Sequence, residues 1–123
     1  MEKLSVTIIT KNEEKNIARC LESVKWADEI VVLDTNSTDR TVEICRQFTD
    51  QVFCVDWHGY GKQKNLCAGR TSNNWVLNID SDEEISSEGA EEIQAVLRGD
   101  SKYTVYQFPR KNFFAQRWVS YGG

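Results

Sequence analysis

Apolar and polar residues occur in blocks along the chain, and the lengths of these blocks predict alternating strands and helices. Five short runs have the apolar and β-branched composition of strands: Leu4–Thr10, Glu29–Asp34, Gln51–Val55, Trp75–Ile79 and Tyr103–Phe108. The run that starts at Glu29 is apolar almost throughout, which is typical of a strand buried on both faces of a parallel sheet. Pro109, the single proline, is expected to stop the last strand.

The first two connections between strands predict helices. The first helix is expected over roughly residues 13–25, with Asn12 as its N-cap. Its apolar residues recur at helical spacing on one face: Ile17, Cys20, Leu21 and Val24. Either Ser37 or Thr38 can cap the second helix. Its shared apolar face consists of Val42, Cys45 and Phe48.

The last two helical segments differ in the strength of their pattern. Residues 62–70 are weakly amphipathic, with Leu66 as their one clear apolar anchor. The segment after the fourth strand has Ser86 or Ser87 as its cap and Gly99 as its stop. Its apolar side consists of Ala90, Ile93 and Leu97.

This alternation predicts an α/β fold, a mostly parallel Rossmann-like sheet with helices on both faces. The 123 residues are enough for one core, so we expect a single domain over residues 1–123. A composition of 40% hydrophobic and 28% charged residues is ordinary for such a domain. The formal net charge of -4 argues against general nucleic-acid binding.

Cysteine usage and hydropathy suggest a cellular location. The four cysteines are widely spaced and the single histidine cannot complete a zinc-finger pattern, so we expect free thiols in a reducing compartment. Cys20 and Cys45 fall on apolar helix faces and are expected to be buried structural thiols. We see no signal-peptide pattern and no apolar run near the roughly 20 residues of a membrane span. We therefore expect a cytoplasmic protein, with peripheral attachment to the inner face of the membrane as the alternative.

Polar clusters follow three of the predicted strands at their C-terminal ends. Residues 10–13 follow the first strand, residues 34–39 the second and residues 80–83 the fourth. Parallel strands bring these ends to one edge of the sheet, which is where ligands bind in open α/β folds. We therefore expect a ligand site on this edge.

The carboxylates at this edge indicate the chemistry of the ligand. Asp80 and Asp82, at the end of a rigid strand, can direct oxygens at a hard divalent cation. Such a cation would neutralise a diphosphate and stabilise it as a leaving group. The alternative for the pair is a solvated turn before a helix. The sequence has no P-loop, no glycine-rich dinucleotide motif after the first strand and no Gly-x-Ser-x-Gly.

Four blocks, in order along the chain, resemble the family 2 glycosyltransferases. The blocks are Val6–Glu13, Glu29–Thr41, Gly61–Asn65 and Trp75–Glu83. The tail over residues 110–123 more loosely resembles a branch that includes bacterial lipopolysaccharide-core β-glucosyltransferases. The resemblance implies a GT-A nucleotide-sugar-binding fold and inverting transfer of a sugar from a UDP-sugar to an acceptor hydroxyl. Glucose is the sugar that the looser resemblance implies.

The resemblance also implies which residues contact the nucleoside. Thr10, Asn12 and Glu13 would line its pocket. Asp34 would face the uracil, and Asp80 would contact the ribose. For Glu13 the alternative is a charge at the helix N-terminus without a ligand role.

Other residues are implied to meet the diphosphate. Lys64 and Asn65 would close over the base or the diphosphate, and Asp82 would ligate Mg²⁺ or Mn²⁺ bound to it. Hard oxygen ligands suit these cations. The aromatic segment 57–60 either borders the base or belongs to the core or surface. The acids Glu83 and Glu84 are interpreted as surface residues.

No general base is assigned. Inverting transfer needs a group that removes the acceptor proton, and the resemblance implies that this group lies in a later half of the protein. We therefore expect residues 1–123 to be the N-terminal donor-binding part of a longer glycosyltransferase with a glycan or lipid-linked acceptor. Such a part would expose an apolar face and self-associate. The alternatives are an inactive binding module and a nucleotidyltransferase, which normally carries a glycine-rich loop where Lys11–Glu14 stands.

Overall fold

The computed structural model describes residues 3–73 and 75–98, together with the backbone of three short strands at 105–107, 112–114 and 119–121. The elements within these residues are, in chain order, β1 (Leu4–Thr10), α1 (Ile17–Ser23), β2 (Glu29–Asp34), α2 (Thr41–Cys45), β3 (Val52–Cys54), α3 (Tyr60–Ala68), β4 (Trp75–Asp80), β5 (Glu83–Ile85), α4 (Ser87–Leu97), β6 (Val105–Gln107), β7 (Asn112–Phe114) and β8 (Val119–Tyr121).

One mostly parallel sheet organises the molecule. Its strand order is β3-β2-β1-β4-β7-β6, with β1 pairing in parallel with β2 on one side and β4 on the other. Strand β6 is the exception, because it runs antiparallel to β7. A separate antiparallel pair, β5 and β8, forms a second small sheet. The predicted α/β fold with a mostly parallel sheet is therefore confirmed.

The central strands are buried on both faces because helices cover both faces. Alternate residues of β1 and β2 belong to two clusters, as the two-residue repeat of a strand requires. The larger cluster contains Val6, Ile8 and Val32 together with apolar residues of α1 and α4. The smaller cluster lies on the opposite face, where Ile9 and Leu33 pack with Cys67 of α3. This arrangement confirms the prediction of helices on both faces.

Helix α1 begins later than predicted. It starts at Ile17, and the N-cap position is held by Asn16, so the prediction of Asn12 as N-cap was wrong. Asn12 has a φ of 50°, in the left-handed region that asparagine tolerates. Its side chain is also used elsewhere, because Asn12 Oδ1 accepts a hydrogen bond from the backbone N–H of Thr38 at 2.8 Å.

Two predictions about the next helices were wrong in detail. Neither Ser37 nor Thr38 caps α2, which begins at Thr41 after Arg40 and has no side-chain cap. In α3, Leu66 is 39% exposed. The buried residues of α3 are Gln63 and Cys67, each with no exposed surface.

Helix α4 follows the prediction. Ser86 is its N-cap, and its hydroxyl accepts a hydrogen bond from the backbone N–H of Gly89 at 2.9 Å. Ile93 and Leu97 are buried, and Ala90 packs against the same cluster. The predicted stop at Gly99 and the stop at Pro109 lie outside the described residues.

Candidate functional site

The polar strand ends predicted to converge lie side by side. In the parallel register, Thr10 at the end of β1 is paired with Asp34 at the end of β2. On the other side of β1, Ile9 is paired with Asp80, the last residue of β4. The backbone N–H of Thr35 donates to the carbonyl oxygen of Thr10 at 2.9 Å, which continues the pairing beyond the strands. One edge of the sheet therefore carries all three tips.

The loops after β1 and β2 are joined by hydrogen bonds between their backbone and polar side chains. The N–H of Asn12 donates to Ser37 Oγ at 2.8 Å, and Asn12 Oδ1 accepts from Thr38 as described above. The N–H of Glu13 donates to Thr41 Oγ1 at 2.9 Å. These bonds satisfy N–H groups that would otherwise lack a partner before helix α1. The polar residues of the second loop thus hold the first loop in place.

Asp34 is the buried anchor of this arrangement. Its side chain has no exposed surface. Its carboxylate accepts from the backbone N–H of Ser37 at 2.8 Å and from the Ser37 hydroxyl at 2.5 Å. Hydrogen bonds of this kind offset the cost of burying a charge. In this structure the Asp34 carboxylate is thus occupied within its own loop.

The acidic segment after β4 forms a tight turn. Glu83, interpreted from the sequence as a surface acid, is instead buried, with 2% of its surface exposed. Its carboxylate accepts a hydrogen bond from the backbone N–H of Asp80 at 2.5 Å, across the turn. Asp82, between them, is exposed. Burial of Glu83 therefore fixes the turn that presents the Asp82 carboxylate to solvent.

An aromatic wall faces this turn. Gly59, with a φ of 95° that favours glycine, sets the chain direction into α3. The rings of Trp57 and Tyr60 meet edge to face with centroids 5.8 Å apart. The Tyr60 hydroxyl donates to Asp80 Oδ1 at 2.5 Å. This bond, with lesser effects of burial and nearby carboxylates, raises the pKa of Tyr60 to about 12.

Gln63 connects this wall to the rest of the site. Its side chain is completely buried in α3. Its amide nitrogen lies 3.4 Å from Thr35 Oγ1, and its amide oxygen accepts from the backbone N–H of His58 at 3.3 Å. The loops after β2 and β3 are therefore both tied to the start of α3.

These elements enclose an open pocket with a volume of about 470 Å³. Its lining residues come from the ends of β1 and β4, the loops after β1, β2, β3 and β4, and the start of α3: Ile9, Thr10, Lys11, Glu13, Thr35, Trp57, Tyr60, Asp80, Ser81 and Asp82. The Thr10 hydroxyl is buried there and has no hydrogen-bond partner among the described residues. Unpaired buried polar groups are rare in proteins, and this one belongs to a residue that lines the pocket.

The structure brings together half of the residues that the sequence singled out. Four of them line the pocket: Thr10, Glu13, Asp80 and Asp82. The other four do not: Asn12, Asp34, Lys64 and Asn65. Lys64 and Asn65 lie exposed on α3, with the Lys64 ammonium 5.1 Å from the centroid of the Tyr60 ring.

Sequence reasoning missed some lining residues and left others open. Lys11 and Thr35 each lie directly after a residue that was singled out, so their position at a strand tip was the available signal. Trp57 and Tyr60 were left between a base-bordering role and a packing role, and they line the pocket. His58 is absent from the lining and instead contributes its N–H to Gln63.

The charge of the pocket wall bears on what it can bind. The residues that line the pocket include three acids, Glu13, Asp80 and Asp82, and one lysine, Lys11. The described residues contain no group of three or more His, Cys, Asp or Glu side chains able to hold a metal ion. A Mg²⁺ or Mn²⁺ ion that takes one or two carboxylates and fills its other positions with phosphate oxygens and water fits this donor set. A metal site in which protein groups supply all of the ligands does not fit it.

Comparison with known proteins defines the family. The sequence model of the family described as glycosyl transferase family 2 matches residues 5–121. The chain therefore belongs to glycosyl transferase family 2.

Relatives with related names match much of this chain. An uncharacterized glycosyltransferase of Rickettsia felis is 44% identical over 110 residues, which are 87% of this chain and 39% of that protein. The lipopolysaccharide core biosynthesis glycosyltransferase LpsC of Rhizobium meliloti is 29% identical over 124 residues, covering 97% of this chain and 44% of that protein. The chain thus spans about two fifths of the length of these relatives.

Solved structures share the fold. Glucosyl-3-phosphoglycerate synthase from Mycobacterium tuberculosis, in complex with Mg²⁺ and UDP, has a TM-score of 0.64 and 25% identity, covering 85% of this chain and 42% of that chain. The 1-349 portion of S. aureus TarS has a TM-score of 0.63 and 30% identity, covering 78% of this chain and 32% of that chain. Among the helices of the described residues, none has the length and apolar character needed to cross a membrane.

Proposed function

We propose that this chain forms the donor-binding part of a glycosyltransferase that takes a UDP-sugar and transfers the sugar to an acceptor hydroxyl with inversion. The observation that carries the proposal is the convergence of Thr10, Glu13, Asp80 and Asp82 on one pocket, in a member of glycosyl transferase family 2. The similar synthase from Mycobacterium tuberculosis has been solved with UDP-glucose and Mn²⁺. That likeness supports UDP-glucose as the donor.

Each lining group has a proposed task in donor binding. The ribose hydroxyls donate to the Asp80 carboxylate, and the unpaired Thr10 hydroxyl bonds the nucleoside. The exposed face of Trp57 supplies apolar surface for the base. Asp34, which is buried, acts by holding the loop that carries Thr35 to Ser37. Lys64 and Asn65, which are exposed on α3, remain proposed contacts to the base or diphosphate.

The excess of negative charge on the wall explains why a cation belongs to the proposal. A diphosphate next to three carboxylates is repelled unless positive charge lies between them. Asp82 is the proposed ligand, because it is exposed at the tip of the turn, and Mg²⁺ or Mn²⁺ is the proposed ion. When bound, the ion would act as a Lewis acid that stabilises the departing UDP. Lys11 adds a second positive charge on the same wall.

The acceptor and the general base are proposed to belong to residues outside this site. The likeness to LpsC supports an acceptor in lipopolysaccharide or another cell-surface glycan. A cytoplasmic location at the inner face of the membrane, and self-association, stay predictions. A donor-binding module without transfer activity would share this pocket, and assays with acceptors distinguish the two.

Titration calorimetry tests the proposed donor and metal. We expect UDP to bind when Mn²⁺ is present and to bind at least about tenfold more weakly in EDTA, because the diphosphate then meets uncompensated carboxylates. Asp82→Asn is expected to remove most of this dependence on metal. Asp50→Asn, which changes an exposed carboxylate outside the pocket, is the matched control. Metal-independent UDP binding, or no UDP binding by folded protein, would overturn the proposal.

A further inference from the structure

The hydrogen bond from Tyr60 to Asp80 joins the start of α3 to the end of β4, and both residues line the pocket. The two residues are 20 positions apart in the sequence, so the fold brings them together. The bond fills one of the two carboxylate oxygens of Asp80. Among the described residues, no side chain or backbone group donates to the second oxygen, Oδ2.

The Tyr60 ring is itself held in position. Trp57 meets it edge to face, with an interplanar angle of 82°. The Lys64 ammonium lies over the ring, 5.1 Å from its centroid. A ring held on two sides directs its hydroxyl to one place, although 48% of the Tyr60 surface is exposed.

Asp80 is fixed from the backbone side as well. Its N–H donates to the buried Glu83 carboxylate, and its carbonyl oxygen lies 3.6 Å from Cys20 Sγ. The χ rotation of the Asp80 side chain is then the remaining freedom, and the Tyr60 hydroxyl restrains it. A carboxylate restrained in this way pays less entropy when it accepts a ligand hydroxyl.

We propose that Tyr60 is a positioning residue that makes Asp80 a selective acceptor for ribose hydroxyls. The inference rests on the proposed function, because it assumes that UDP occupies this pocket. Tyr60 leaves one carboxylate oxygen of Asp80 for the sugar and fixes where that oxygen lies. The site is therefore expected to discriminate between ribose and deoxyribose nucleotides. A general loosening of the fold would not produce this discrimination.

The test compares UDP with 2′-deoxy-UDP and 3′-deoxy-UDP by calorimetry in the presence of Mn²⁺. Hydrogen bonds to a charged group are strong, so the wild-type chain is expected to prefer UDP about tenfold or more over at least one analogue. In Tyr60→Phe the ring and its packing remain, and the preference is expected to fall to about threefold or less. Asp80→Asn is expected to weaken the preference on its own, and adding Tyr60→Phe to it should change the preference no further.

Leu66→Ala is the matched control, because Leu66 lies on the same helix, is 39% exposed and does not line the pocket. It should keep the full preference for ribose. Tyr60→Phe that binds UDP with an unchanged preference would overturn this inference and leave the proposed function intact. Equal wild-type affinity for all three nucleotides would overturn this inference together with the proposed ribose contact of Asp80, and would leave UDP binding in this pocket intact. Absence of wild-type UDP binding would overturn both.

Discussion

Thr10 and Asp34 end neighbouring strands as a register pair, yet Thr10 lies on the pocket wall while Asp34 is completely buried behind it. The Asp34 carboxylate is turned to Ser37, whose N–H and hydroxyl both donate to it. The same Ser37 hydroxyl accepts from Asn12 in the loop after β1. Asp34 therefore holds both loops through Ser37, and we expect its substitution to lower the stability of the fold.

Asp34→Asn should lower the free energy of unfolding by roughly 1.5–3 kcal/mol, because two hydrogen bonds to a charged acceptor are weakened in a buried site. Urea denaturation followed by circular dichroism measures the change. The matched control is Asp50→Asn, at an exposed carboxylate, which should change stability by less than about 0.5 kcal/mol. Equal stability of the Asp34 variant and the control would contradict the anchoring role.

The central strand should be sensitive to loss of volume. Ile8 has no exposed surface and packs among residues of the larger cluster. Ile8→Ala is expected to cost about 2–5 kcal/mol of unfolding free energy, from lost burial and the cavity left behind. Leu66→Ala, at a residue with 39% of its surface exposed, should cost much less. Similar midpoints for both variants in urea would be inconsistent with a core centred on β1.

The four thiols should differ sharply in reactivity. Cys20, Cys45 and Cys67 are buried, and burial raises the pKa of each thiol, to about 12 for Cys45 and Cys67. Cys54 is exposed. Because the thiolate is the reactive form, a disulfide reagent should label Cys54 quickly and the other three only after denaturation. Cys54→Ser should abolish the fast phase, and rapid labelling of a second site would contradict the burial.

Alkaline pH should weaken the contact between Tyr60 and Asp80. The hydrogen bond to Asp80 raises the pKa of Tyr60 from its ordinary value of 10.0 to about 12. The folded protein thus holds this proton more tightly than the unfolded chain does. The stabilisation is complete below about pH 10 and is lost as the pH rises through about 12.

The difference in unfolding free energy between wild type and Tyr60→Phe isolates this effect, because the titration of the other groups cancels. We expect the difference to be constant up to about pH 10 and to fall above it. Measurements in urea at stepped pH values between about pH 9 and about pH 12 cover the window. A difference that stays flat across this window would rule out the contact in solution.

The strands could be predicted because their signal is local. Runs such as Leu4–Thr10 and Glu29–Asp34 match the observed bounds of β1 and β2, since an uninterrupted apolar run is explained by burial on both faces. The position of the pocket at the C-terminal edge of the sheet could be predicted because those strands run parallel. The sheet partner of β5 could not be predicted in this way, because the tail beyond residue 109 has no clear period.

Other features depend on contacts between distant parts of the chain. The sequence predicts Asn12 as a helix N-cap. Instead, hydrogen bonds from its loop to Ser37 and Thr38 in the next loop hold it in a left-handed conformation. The buried face of α3 consists of Gln63 and Cys67, which carry little hydrophobic signal, so Leu66 was chosen wrongly. Likewise, a buried acid in a run of acids looks like a surface residue until its partner is known.

Paramagnetic broadening by Mn²⁺ tests the central claim most directly. Amide resonances of the isotopically labelled chain would be recorded with UDP and Mg²⁺, and then with UDP and Mn²⁺. Shifts caused by UDP are expected at Thr10, Lys11 and Thr35, and broadening by Mn²⁺ is expected to centre on Ser81 and Asp82. Shifts or broadening centred on another edge of the sheet would contradict the assignment of a donor pocket to these strand tips.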